Sequence, residues 1–281
     1  MGREALSLRP TPHPDRSISL NNLGLGLLDR FRRTGSMADL EESILMHRES
    51  LSLCPTPHPK HSTSLALNNL SLGLVQRFEI TGSMTDLEEA ILILRESLPL
   101  HPTTHPHRSF SLNNLASALH HLFDQTGSMA DLQEVILLHR ESLSFRPKSH
   151  PSHSDSLYNL ACALRTHFRK TSSMTDLEEA ILLHRESLSF RPTSHPNRFL
   201  SLEGLAYALG DRFENTASIT DLEEAISMLR EALSLRTYPR CLLSVSKNLA
   251  YYLEIRFEEN GNQSDLEEAT SLRQEILAMS K

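Results

Sequence analysis

Leu20, Leu23, Leu27 and Phe31 fall at offsets of three and four, the spacing that gathers side chains on one face of an α-helix. The set returns as Leu67, Leu70, Leu74 and Phe78, and as Leu112, Leu115, Leu119 and Phe123. It returns again as Leu157, Leu160, Leu164 and Phe168, and as Leu202, Leu205, Leu209 and Phe213; a last copy keeps Leu249, Leu253 and Phe257. We call these the A helices. Gly35, Gly82, Gly127 and Gly261 follow where a left-handed C-cap would end the helix, with Ser172 and Ala217 in two copies. A second pattern, Leu40, Ile44 and Leu51 with a small residue at 43, predicts a B helix and recurs as Leu87, Ala90, Ile91 and Leu98 and as Leu177, Ala180, Ile181 and Leu188. Ser36, Asp39 and Glu42 at steps of three offer capping in either register and set carboxylates near the positive end of the helix dipole. Pro55, Pro102, Pro147 and Pro192 close the B helices in loops such as Pro-Thr-Pro-His-Pro, which cannot extend a helix.

The two patterns form one repeating unit. Asp-Leu pairs begin at Asp39, Asp86, Asp131, Asp176, Asp221 and Asp265, steps of 47, 45, 45, 45 and 44 residues, a period that signals stacked units. The prediction is an all-α solenoid of about six antiparallel helix pairs spanning residues 1–281. Its units run over 17–61, 62–107, 108–152, 153–197, 198–240 and 241–281, after a partial unit at 1–16. Arg3-Glu4-Ala5-Leu6 matches the tail of another B helix, so a piece of a longer array is expected. Such arrays present an extended surface to another molecule more often than a catalytic pocket.

Composition narrows the classes. A formal charge of -7 without a basic cluster argues against nucleic acid, whose binders neutralise phosphates with Lys and Arg. Apolar runs such as Ala90 to Leu94 are broken by charge well before membrane-spanning length, and Met1-Gly2-Arg3-Glu4 has no signal-peptide core, so a cytoplasmic location is expected. Cys54, Cys162 and Cys241 lack C-x-x-C spacing and read as free thiols.

Asn22-Leu23-Gly24, Leu27, Gly35, Glu42, Ser43, Ser50-Leu51 and Pro55 resemble a tetratricopeptide (TPR) repeat, with Ala116, Ala161, Ala206 and Ala250 in helix A and Ala90, Ala180, Ala225 and Ala269 in helix B at the family's small positions. The resemblance covers essentially the whole chain. The units run near 45 residues, against about 34 in that family, with the extra residues around Asp29 to Thr34 and in the His-Pro loop. This is similar to the long repeats of kinesin light chains, which share Leu-Asn-Asn-Leu-Ala at Leu112 to Ala116. The phrases around Ser36 and Arg48 resemble fungal arrays that often accompany a caspase-like (CHAT) or NTPase domain. The resemblance implies a two-layer right-handed α-α superhelix with A helices on the concave side.

Asn22, Asn69, Asn114, Asn159 and Asn248 hold one helix A position, interrupted by Gly204. Asn carries a donor and an acceptor, so a file of amides can hold the backbone of an extended peptide; the resemblance implies that use too. The alternative is bonding to the preceding turn or the neighbouring unit. Three residues on stand Leu25, Leu72, Ser117, Cys162, Tyr207 and Tyr251; six on stand Leu28, Val75, His120, Arg165, Gly210 and Glu254. We expect peptide contacts at the five asparagines and at Leu25, Leu72, His120, Arg165, Tyr207 and Tyr251. The expected function is a non-catalytic interaction scaffold for a protein or peptide, with no cofactor. A regulatory or sensor segment of a larger protein is the alternative.

Other constellations point nowhere further. His13, His58, His105, His150 and His195 recur once per unit and do not converge on a metal; His47, His139 and His184 suit half-buried packing on helix B. Arg48-Glu49 and its copies are adjacent on a helix and face apart, which suits inter-unit ion pairs or a solvated face. Cys162 lies inside a helix A, with no strand-rich region to pair it with a His as in a caspase-like enzyme.

Overall fold

The computed structural model describes residues 2–53, 60–100, 108–235 and 239–279. They form two compact units, Met1–Arg146 and Pro147–Lys281. The first holds α1 (Gly2–Ser7), α2 (Arg16–Thr34), α3 (Met37–Ser52), α4 (Lys60–Thr81), α5 (Met84–Ser97) followed by a 3-10 turn at Leu98–Leu100, α6 (Arg108–Thr126) and α7 (Met129–Ser144). The second holds α8 (His153–Thr171), α9 (Met174–Ser189), α10 (Arg198–Thr216), α11 (Ile219–Ser234), α12 (Pro239–Asn260) and α13 (Gln263–Met279). Among the described residues there is no strand. The fold is all-α, built of helix pairs as predicted. Inside each unit a helix packs on its predecessor and successor, and A helices touch the next A helix, α2 with α4, α4 with α6 and α8 with α10.

The apolar pattern is the core. Leu20, Leu74, Leu112, Leu202 and Leu253 are fully buried, as are the B-helix residues Leu40, Leu87, Leu177 and Ala180. The four cap glycines take φ of +68° to +70°, and Ser172 and Ala217 adopt the same left-handed conformation at +58° and +53°. Each cap N–H bonds the carbonyl four residues back, as Gly35 does to Phe31 and Ser172 to Phe168, so the motif survives without glycine.

Capping at the start of helix B is only partly the arrangement expected. Ser83 and Ser128 accept the amides of Asp86 and Asp131 at 3.4 Å, whereas Ser36, Ser173 and Ser218 make no side-chain cap bond. The aspartate three residues on is claimed by an arginine nine residues before it, on the preceding A helix. Arg77 holds Asp86 through two bonds of 2.6 and 2.7 Å, and Arg212 with Asp221 and Arg256 with Asp265 repeat the fork. This neighbour keeps the carboxyls of Asp86 and Asp265 below the usual carboxylate range. His167 takes the arginine's place beside Asp176.

The arginines of the Arg-Glu copies form a ladder from one B helix to the next, while their glutamates Glu49, Glu141 and Glu231 pair within the repeat with Arg16, Arg108 and Arg198. Arg3 reaches Glu42, Arg48 reaches Glu89 and Arg95 reaches Glu134; in the second unit Arg185 reaches Glu224 and Arg230 reaches Glu268. These arginines are about half exposed or more, so each pair contributes only ~0 to 1 kcal/mol and serves mainly to fix register.

Candidate functional site

The asparagine file runs along the stack. Asn69 is buried and donates to Oδ1 of Asn21 at 2.9 Å; Asn114 donates to Oδ1 of Asn68 at 3.3 Å. The second amide of one Asn-Asn pair thus reaches the first amide of the pair before it. Asn68 continues the relay to Ser111 Oγ at 2.8 Å. In the second unit Asn248 donates to the Tyr207 hydroxyl at 3.1 Å, and that hydroxyl donates to Glu203, which occupies the first-amide position of its repeat. Asn69, Asn114 and Asn248 therefore each give an amide N–H to a neighbouring repeat. Asn159 is half-buried, and Asn22, at the start of the series, is exposed. This is the inter-unit arrangement, and the physical reason is burial: an amide pressed between two helices must be bonded there. Gly204 breaks the file because the His184 ring fills its side-chain space; a Cβ there would lie 2.5 Å from the ring.

The neighbouring rows sort differently. Leu25 and Leu72 are half-buried, and Leu72 packs on the core. His120 is half-buried, and burial lowers its pKa. Arg165 is bonded bidentately to Asp211 of the next repeat and lies 5.2 Å from the Tyr207 ring centroid, so those two expected residues meet. Tyr251 stands 43% exposed. Leu28 and Gly210 do not line the surface: Leu28 is core, and Gly210 lies under Tyr252, whose hydroxyl occupies the place of a Cβ.

Four residues before the asparagine position lies a row that the sequence reading passed over. Ile18, Leu65 and Phe110 are 51%, 42% and 44% exposed, within the first two turns of α2, α4 and α6. Each shares a helix face with the asparagine four residues later. Their common register was the signal: a periodic apolar position that falls off the core stripe. In the second unit the register holds Asp155, the half-buried Leu200 and Ser244.

A further unnoticed residue is the arginine before the loop proline. Arg191 is fully buried and bonds Ser154, Ser201, the Asn197 carbonyl and Asp155. Arg146 takes the same place in the first unit, bonding Ser109 and lying over Phe110 at 5.1 Å.

The titratable groups are structural. His13, His150 and His195 accept the amide two residues on through Nδ1, closing their loops; His58 and His105 lie outside the described residues. Among the described residues no group of three potential ligands could hold a metal. His47 and His184 are wholly buried with neither ring nitrogen bonded, rather than half-buried, and desolvation lowers them to about 4 and about 3. Burial pushes the Cys162 thiol up to about 11, so it stays protonated. Cys54 and the Cys241 side chain lie outside the described residues.

Residues 18–60, 63–107, 111–152 and 154–197 match the tetratricopeptide repeat family. Among solved structures, a Podosopora anserina kinesin light chain with nearly identical TPR-like repeats is 20% identical, at a TM-score of 0.55, over 80% of this chain and 97% of its own. Pseudomonas aeruginosa pilF is 16% identical, with a TM-score of 0.55, over 96% and 99%. A monomeric mutant of IFIT1, solved with Gppp-AAAA, is 16% identical at 0.58 over 93% of this chain and 50% of its own. At these identities the likeness is one of fold. No curated protein matches the chain.

Proposed function

Because the chain belongs to the tetratricopeptide repeat family, we propose that it is a non-catalytic cytoplasmic scaffold that holds an extended segment of a partner protein against its A helices. The observation that carries this reading is the exposed row of Ile18, Leu65 and Phe110, set over a core that is the same from repeat to repeat. Apolar side chains at one register supply hydrophobic contact, and the exposed amide of Asn22 beside them can bond a peptide backbone. Leu25 and Leu72 extend that face. Asn69 and Asn114 lie behind it, bonding one A helix to the next, and His120 is half-buried beside them. The second unit offers Asn159, Tyr207 and Tyr251, a face for a more polar segment, with Arg165 and Asn248 holding its repeats together through Asp211 and the Tyr207 hydroxyl.

Protein is favoured over nucleic acid because the chain carries a charge of -7, and the arginines described on the A helices are largely engaged with Asp and Glu. Catalysis is disfavoured because the strongly shifted groups owe their shifts to packing. No described helix is long and apolar enough to cross a membrane.

Panning a random-peptide display library against the chain tests the reading. Peptides with regularly spaced apolar residues should be enriched, and an I18S/L65S variant with unchanged circular dichroism should bind them at least tenfold more weakly. Equal binding by the variant, or no enrichment, would remove the A face as the site.

A further inference from the structure

The B helices of the first unit carry a second exposed row, unused by the reading above. Leu45 on α3, Leu92 on α5 and Leu137 on α7 stand six residues after Asp39, Asp86 and Asp131, and they are 60%, 64% and 67% exposed. One exposed leucine is ordinary; three at one register on successive helices make a ridge. The Arg48–Glu89 and Arg95–Glu134 pairs tie α3 to α5 and α5 to α7, so the leucines are held in line. Four residues before each leucine comes exposed Glu41, Glu88 or Gln133, and three after comes exposed Arg48, Arg95 or Arg140. All share the leucine's helix face. The ridge is therefore bordered on one side by two carboxylates and the neutral Gln133 and on the other by a basic line.

We infer that this ridge is a self-association surface, and that its occupant is the same ridge of a second copy of this chain. Spacing is the first reason: the leucines recur at the step of the helix stack, and an identical stack offers apolar side chains at that step. Charge is the second. A two-fold axis along the row sets the B helices of the two copies antiparallel, places leucine on leucine, and brings Glu41 and Glu88 of each copy over Arg48 and Arg95 of the other. An axis across the row would set Glu on Glu, which is repulsive. Arg48 and Arg95 reach their own Glu89 and Glu134 through Nη2, and a guanidinium has further N–H groups to offer a facing carboxylate. A ridge one residue wide falls short of the ~800 Å² per partner of a standard stable interface, so the association is weak and concentration-dependent. In the second unit Leu182 on α9 keeps the exposed leucine at 65%, whereas Ser227 and Ser271 stand exposed at the same register on α11 and α13 and supply the template for removing it.

Sedimentation equilibrium on the full chain, from about 1 μM to about 1 mM, tests the inference. The average mass of the unaltered chain should climb from 31.7 kDa toward twice that value, while L45S/L92S/L137S should stay at 31.7 kDa with unchanged circular dichroism. E41R/E88R should weaken association at least tenfold. A chain that stays at 31.7 kDa throughout, or a serine variant that associates like the unaltered chain, overturns the proposal. Unchanged association of E41R/E88R overturns the two-fold arrangement.

Discussion

The two compact units share one scaffold and dress it in opposite ways. Both bury the same leucines, and in both an Arg nine residues before an Asp locks helix A to helix B. Against that constancy, the first unit exposes an apolar row on its A helices, carries an exposed leucine at one register on every B helix from α3 to α7 where the second keeps only Leu182 on α9, caps its A helices with Gly35, Gly82 and Gly127, and joins repeats through bonded asparagine amides. The second joins them through the Asn248 amide on Tyr207, with Glu203 behind it, and through the Arg165–Asp211 pair, puts Asp155 and Ser244 where Leu65 and Phe110 stand, and caps two helices with Ser172 and Ala217. Conservation inside the stack and divergence on its faces is the behaviour of a fold kept by packing whose surfaces are under separate control.

Core truncation is the largest effect with which to break the comparison. Leu115 and Leu205 hold the same A-helix position in the two units, each 1% exposed. Leu115→Ala and Leu205→Ala should each cost about 2 to 5 kcal/mol in urea unfolding, whereas Leu277→Ala, 66% exposed, should cost under about 0.5 kcal/mol. A large inequality between the first two would show that the cores are not equivalent.

Acid comes next. His47 and His184 sit neutral in the folded protein, lowered to about 4 and about 3 by desolvation, with Tyr158, Arg165 and Arg191 around His184. The unfolded chain takes up a proton on each below about 6.5. Their stability contribution is therefore complete above that pH and is lost as pH falls toward the folded value. Between pH 7 and 5 the loss should be about 2 kcal/mol per histidine. Leu94 and Leu229 fill the same register elsewhere, so His47→Leu in one unit and His184→Leu in the other should each shrink the pH 7 to pH 5 difference by that amount. The paired aspartates are depressed from about 3.8 and lose their contribution only at lower pH. A pH dependence unmoved by both variants would mean that the rings are hydrated or charged in the fold.

The caps give the smallest effect. A left-handed conformation costs a residue with a Cβ roughly 1 kcal/mol relative to glycine. Gly127→Ala should destabilise the first unit by about 1 kcal/mol, and Ser172→Gly or Ala217→Gly should stabilise the second by a similar amount, read from urea midpoints. Loss of stability in Ser172→Gly would show that its hydroxyl does something glycine cannot.

Much of this was legible in the repeats. Core stripes, left-handed caps and the Arg-Glu ladder follow from periodicity, because helix geometry converts spacing directly into facing. The Asp39-to-Arg30 fork was legible in principle too, since Arg recurs nine residues before Asp in most units, but a capping explanation for the same aspartate concealed it. The direction of the asparagines was not legible. A residue on a helix flank can turn toward solvent or toward the next helix, and whether Asn69 meets Asn21 depends on how closely α2 and α4 approach.

The sequence by itself determined the repeat, the all-α class, the left-handed ends of the A helices and the family, because each rests on local spacing and is restated along the chain. The tertiary structure alone decided which polar residues are consumed in holding repeats together and which apolar ones are left outside. Burial belongs to the stack and not to the strip of sequence: Leu40 and Leu45 lie five residues apart on one helix, and only the neighbouring helices make the first fully buried and leave the second 60% exposed.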